Sequence, residues 1–311
     1  MQLIGKTTHI DFMGHRRLAV TVSVLLLAGA IAALVVRGLA FGIDFTGGVL
    51  VEVGYPQDAN LQAVRGQLSD GGFDDAIVQH FGTSRDVMIR LMPVEGMDGN
   101  EVREQILQAL RSDGSDLELR RVEFVGPQVG QELTETGVLA MLVAIIMILI
   151  YVALRFQWKF AVGAVAALVH DVVLTVGFFA VLQLSFDLSV LAAVLAVIGY
   201  SLNDTIVVFD RIRENMLKVR GGAPVDIVND SINQMLARTL ITGITTLLVL
   251  LALFFLGGEV IRPFSIALIV GVIVGTYSSI YVASATALAL DVTVQDLLPP
   301  EKTDEELDAL P

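Results

Sequence analysis

No cysteine occurs among the 311 residues. That excludes disulfides, thiolate metal sites and thiol chemistry. The four histidines, His9, His15, His80 and His170, are scattered without metal-ligand spacing, so neither a metal nor a cofactor is expected. Charge is scarce as well. Only 17% of the residues are charged against 54% hydrophobic, and the mean hydropathy is +0.72, too apolar for a soluble protein of this length. The charge that is present leans acidic, to a net −13 at pH 7.

Long apolar runs fill the gap. A bilayer crossing needs about 20 consecutive apolar residues. Three runs are free of charge: Leu18–Val36, Thr136–Leu154 and Pro263–Leu290. Three more carry polar residues: Phe160–Leu184 with His170 and Asp171, Leu188–Phe209 with Asp204, and Thr239–Gly258 with Arg238 at its entrance. The expected class is a polytopic α-helical membrane protein with six transmembrane helices. Arg16-Arg17 followed by an apolar stretch and Ala28-Gly29-Ala30 has the form of a cleaved signal peptide. The run continues to Val36, which favours an uncleaved anchor. Basic residues cluster before the first span, at Arg155 and Lys159, and over Arg211, Arg213, Lys218 and Arg220. All three clusters fall on one side if both termini are cytoplasmic.

The chain then divides into 1–37, a cytoplasmic N-terminus and first span; 38–135, an exported domain; 136–291, five further spans with a cytoplasmic loop near 210–237; and 292–311, an acidic cytoplasmic tail. Over 38–135 there are 17 acidic residues against 7 arginines and no lysine. That balance argues against nucleic acid or anionic lipid as a partner, since both require basic patches. Patterning predicts strands at Val49–Val53, Ala76–Phe81, Val87–Met92 and Leu117–Val125, with an offset at Arg120-Arg121, and helices at Asn60–Ser69 and Glu101–Arg111. This β-α-β-β-α-β order is that of a small α+β, ferredoxin-like domain. No nucleophile–base or paired-carboxylate spacing occurs in it, so no enzyme is read here.

Two glycine-rich boxes flank the domain, Phe41–Gly48 and Val125–Leu133. The Gly47-Gly48 pair is no phosphate loop, because no lysine follows and the order runs helix to strand. Both boxes read as structural elbows. Together with Phe124–Gln131, Tyr151–Trp158 and Val197–Asn215 (VIGYSLNDTIVVFDRIREN), these motifs resemble the SecF family, the smaller membrane subunit of the bacterial SecDF protein-export complex in the RND superfamily. The resemblance runs over essentially the whole chain. It implies an RND-type half bundle in the bacterial inner (plasma) membrane, with SecD as obligate partner supplying the matching half. It further implies work beside the Sec translocon channel and its accessory membrane proteins, on a translocating unfolded polypeptide, driven by the proton motive force.

Asp204 is the residue the membrane reading has to explain. An acid inside a span costs about 2.5–3.5 kcal/mol on insertion scales, and such groups face bundle interiors or water pathways. Asp204 stands 17 residues before Gly221, and Arg238 stands 17 residues after it. An antiparallel hairpin would bring the two to one depth. The pair can act as a proton switch or can simply hold helix register. The resemblance favours the switch, since the family's proton-coupling acid and arginine map to Asp204 and Arg238. Asn203, beside Asp204, is a further candidate. Asp171 shares a helix face with Gly163 and Ala167, which points it inward. It reads equally as a second proton station or as a hydrogen-bonding residue for a neighbouring span, with His170 as structural. Gly271, Gly275, Ser279 and Ala283 form a packing stripe. Two other functions stand beside proton-driven export: a passive scaffold of the translocon, and an RND-like exporter of small solutes.

Overall fold

The computed structural model describes residues 8–93, 99–112, 116–219, 222–258 and 260–297. Six helical rods in it are long and apolar enough to cross a membrane. The first is α1 (Arg16–Arg37), preceded by a single 3-10 turn. The chain then leaves the bundle through a two-residue strand β1 (Ala40–Phe41) and a single helical turn α2 (Ile43–Thr46). The small domain follows as β2 (Gly48–Gly54), α3 (Leu61–Asp70), β3 (Ile77–Phe81), β4 (Thr83–Leu91), α4 (Gly99–Leu110) and β5 (Glu118–Val125). The remaining rods are α5 (Pro127–Arg155), α6 (Trp158–Leu182), α7 (Leu188–Lys218), α8 (Pro224–Leu256) and α9 (Arg262–Ser278). A π-helical turn at Ser279–Ala283 carries α9 into α10 (Ser284–Ala289).

The domain sheet has the order β3-β4-β2-β5 with every neighbour antiparallel. That is the split βαβ arrangement expected from the strand and helix order. Val49, Val51 and Val53 alternate inward from β2 and meet Val64 and Leu68 of α3 and Ile106 and Leu110 of α4. Asn60 starts α3 as its N-cap, its side chain accepting from the backbone N–H groups of Gln62 and Ala63. The offset expected at Arg120-Arg121 is present. The register of β2 against β5 slips between Glu52 and Val53, which face Arg121 and Leu119, so Arg120 has no opposite number.

Length separates the bundle from its reading in sequence. The stretch 210–237 reads as a cytoplasmic loop, with Asp210, Arg211, Arg213 and Glu214 on a solvated helix end and 226–234 lying on the membrane surface. Helix instead runs through nearly all of it, since α7 continues to Lys218 and α8 begins at Pro224. The polar residues that end the apolar runs are those of helix ends projecting past the apolar layer. Arg155 to Asp210, Arg211 to Glu214 and Lys218 to Glu214 form ion pairs there. Asn229 and Asn233, one turn apart on α8, are also explained. Asn229 Oδ1 accepts from the backbone N–H groups of Phe12 and Met13, and Asn233 pairs with both the N–H and the carbonyl of Ile10. The chain before α1 is thus strapped across α8.

Candidate functional site

The interior of the bundle is built on α7, whose buried face includes Val197, Ser201, Asp204, Thr205 and Val208. These recur at three- and four-residue steps, the period of one helix face. The glycine stripe of α9 admits α7 at close range. A Cβ added at Gly271 would lie 2.1 Å from Val197 Cγ2, and one at Gly275 would lie 3.1 Å from Ser201 Cβ. Packing is therefore the role of that stripe, as expected.

Asp204 is 4% exposed, and its Oδ2 has no hydrogen-bond partner among the described residues. An unpartnered buried carboxylate oxygen is an open position for a proton or a donor. Arg238 does not close it as an ion pair within 4.0 Å. Arg238 is exposed on α8, the helix that follows α7 and packs against it. The spacing about the turn is symmetric. Asp204 is fourteen residues inside the end of α7 at Lys218, and Arg238 fourteen residues inside the start of α8 at Pro224. At 1.5 Å per residue both sit about 21 Å from the turn. Asn203 is exposed on a different side of α7, because one residue along a helix turns the side chain by about 100°.

Asp171 is more completely enclosed, at 1% exposure. Its Oδ1 is 2.9 Å from Nδ1 of His170, which is also buried. Its Oδ2 accepts from Ser201 Oγ of α7 and, at 2.7 Å, from Ser278 Oγ of α9. His170 stacks on Tyr277, with ring centroids 6.0 Å apart. The Tyr277 hydroxyl donates to the carbonyl of Ala19 in α1 at 2.8 Å. Ser201, Ser278 and Tyr277 are the residues the sequence reading missed. A lone serine or tyrosine in an apolar run carries no charge to signal it, and these partners lie 30 and 107 residues from Asp171.

At the domain end the two glycine boxes meet. Gly47 and Gly48 take φ of +69° and +120°, which α2 needs to turn directly into β2. A Cβ at Gly48 would strike the carbonyl oxygen of Leu91 at 2.1 Å, and one at Gly130 would strike Gly47 N at 2.8 Å. Asp44 Oδ2 accepts from the N–H of Leu188, joining the first box to the start of α7. Arg90 spans the same seam from β4. It donates to the Phe41 carbonyl at 2.7 Å and to Ser185 Oγ at 2.6 Å, in the short strand β6 (Ser185–Phe186) that pairs with β1. Burial pushes the Arg90 guanidinium below its ordinary pKa, and the nearby Asp187 carboxylate pushes back.

The motifs and the arrangement have counterparts in known proteins. Residues 105–293 match the C-terminal region of protein export membrane proteins SecD/SecF, and residues 32–59 match the SecD/SecF GG motif. Protein translocase subunit SecF of Vibrio alginolyticus is 51% identical over all of this chain and 99% of its own length. This chain belongs to the SecF family. The SecF of Pseudomonas aeruginosa is 50% identical, over 95% of this chain and 96% of its own. Among solved structures, the crystal structure of SecDF, a translocon-associated membrane protein from Thermus thermophilus, superposes with a TM-score of 0.84 at 39% identity. It covers 94% of this SecF-family chain, which spans 40% of the solved one. A structure of SecDF in its super-membrane-facing form superposes with a TM-score of 0.68. The GG motif of the family falls on the elbow where Gly42–Gly48 joins β2 to α7 and α5.

Proposed function

We propose that this chain works with SecD as one half of a membrane machine that uses the proton motive force to help the Sec translocon complete protein translocation. Membership of the SecF family supports the export role, and the likeness to SecDF supports the partnership. The observation that carries the coupling step is Asp204, a buried carboxylate whose Oδ2 lacks a partner among the described residues while Arg238 stands unpaired with it on the neighbouring helix α8. A carboxylate and a guanidinium at one depth, not locked together, form a two-state element. With Asp204 ionised the pair attracts, and with Asp204 protonated Arg238 is free to turn to an acceptor elsewhere. One charge crossing the membrane supplies about 2.3 kcal/mol per 100 mV, enough to shift such an equilibrium.

The basic clusters support an orientation with both termini in the cytoplasm and the small domain across the inner membrane. There the domain would meet the emerging unfolded chain. The exposed apolar side chains of α5 and α8, among them Leu139, Met147, Ile244 and Leu248, supply surface for lipid and for the matching bundle of SecD.

The test is translocation into inverted membrane vesicles carrying this chain and SecD. Asp204→Asn is expected to leave assembly with SecD intact and to abolish the stimulation of export by a proton gradient. Normal stimulation in the assembled variant would return the chain to the role of a passive scaffold.

A further inference from the structure

Asp171 receives more hydrogen bonds than any other buried acid among the described residues, yet it takes no part in the Asp204–Arg238 step. His170 reaches it from its own helix, Ser201 from α7 and Ser278 from α9. Both carboxylate oxygens are occupied, one by the imidazole and the other by two hydroxyls. This contrasts with Asp204, whose Oδ2 is bare. A carboxylate already saturated by donors on three sides offers a proton little that it does not have.

What the cluster does hold is geometry. Ser201 lies three residues before Asp204 on the buried face of α7, so any rotation or slide of α7 moves both together. Ser278 is the last residue of regular α9, directly before the π-helical turn at Ser279–Ala283. Such turns insert a residue and concentrate at functional sites. The carboxylate of Asp171 thereby pins α7 against the point where α9 changes its winding. Tyr277, stacked on His170 and bonded to Ala19, extends the tie to α1.

We infer that Asp171 is a positioning residue, a carboxylate clasp that fixes the rotation of α7 against α9 and so holds Asp204 at its working place on the buried face of α7. The inference rests on the coupling role proposed for Asp204. The ionisable neighbours of the clasp are His170 on its own helix, Tyr277 on α9 and, one turn along α7, Asp204 itself; Ser201 and Ser278 do not titrate.

The absence of native cysteine makes the helix contact directly measurable. In the full chain with SecD, Ala193→Cys and Ala267→Cys, one turn before Val197 and Gly271 and buried in one cluster, place one thiol on each side of the α7–α9 contact, and oxidative cross-linking reports it apart from export. Asp171→Asn keeps an acceptor of the same shape, so cross-linking and gradient-stimulated export are expected to persist. Asp171→Ala is expected to lower both by about tenfold, the scale of a lost buried charge-assisted hydrogen bond. Export lost in Asp171→Asn with cross-linking intact would make Asp171 a proton carrier and sink the inference. Unchanged cross-linking in Asp171→Ala would sink it equally. If that variant does not accumulate, the double change Ser201→Ala with Ser278→Ala removes the inter-helix donors and leaves the carboxylate. Weaker cross-linking there supports the clasp, and full cross-linking overturns it. A failure of Asp204→Asn to alter gradient dependence would defeat the coupling proposal while leaving the cross-linking result to stand or fall by itself.

Discussion

Two buried acids on adjacent helices have opposite surroundings, and the difference lies in single hydroxyl groups. Asp171 is encircled by Ser201, Ser278 and His170, while Asp204 keeps an oxygen bare. Both were identifiable in sequence as acids in apolar runs; which one is saturated was not, because hydroxyl donors from other helices decide it. A third aspartate shows the same logic outside the membrane spans. Asp296 accepts from Lys159 Nζ at 2.7 Å and from the N–H and hydroxyl of Thr293. The Lys159 hydrogen bond holds its carboxyl below the ordinary aspartate pKa against the opposing effect of burial. The sign follows: the stabilisation is fully present above the unfolded pKa near ~3.9 and is lost as pH falls through the lower folded value. Hydrogen exchange over 291–297 is therefore expected to stay slow at neutral pH and to accelerate only in strong acid. Asp296→Asn should show fast exchange already at pH 7. Equal exchange in the two proteins at pH 7 would contradict the assignment.

At the scale of elements, the runs of apolar residues predicted the rods, but not their ends or their breaks. The run Pro263–Leu290 has uniform composition, yet the helix winds as π over Ser279–Ala283. The carbonyl of Ala283 lies 2.8 Å from where a Cβ on Gly163 of α6 would be, so the wider turn lies where α6 crosses closely. Small residues in α9 have a similar cause. Gly271 leaves room for Val197, and a larger side chain there must push α7 aside. Gly271→Leu is expected to lower bundle stability by roughly 1–3 kcal/mol, the usual cost of overpacking. Thermal unfolding of the purified SecD pair measures it, and an unchanged midpoint would mean that the α7–α9 contact is looser than the structure has it. The solvated helix end at Asp210–Glu214 was legible, but the continuation of α7 to Lys218 and the start of α8 at Pro224 were not, because projecting helix and loop share the same polar composition; only hydrogen bonding along the backbone tells them apart.

For the molecule as a whole, the seam between the small domain and the bundle carries the connection between the apolar rods and the domain outside them. Arg90 reaches across it to Phe41 and Ser185, and a cleft of about 180 Å³ runs alongside, lined in part by Glu52, Arg121 and Asp187. Removing a buried hydrogen-bonded charge costs roughly 1.5–3 kcal/mol. Arg90→Ala is thus expected to loosen the domain on the bundle without unfolding its core of Val51, Leu68 and Ile106. Limited proteolysis should then cut faster over 38–48 and 183–187 while the domain interior stays resistant. Unaltered cleavage at both segments would show that the glycine boxes alone hold the seam.

Sequence by itself determined the six spans, the domain with its strand order and bulge, the two elbows and the family, because each depends on local pattern: apolar length, residue period, glycine spacing. It also set Asp204 and Arg238 at equal spacing from the turn between their helices. Tertiary structure decided the rest. Whether an acid is clasped or bare, whether two charges at one depth touch, and which arginine of an acidic domain turns inward all depend on groups tens to hundreds of residues apart. Such contacts are set by how helices rotate and pack, and no period along the chain encodes that rotation.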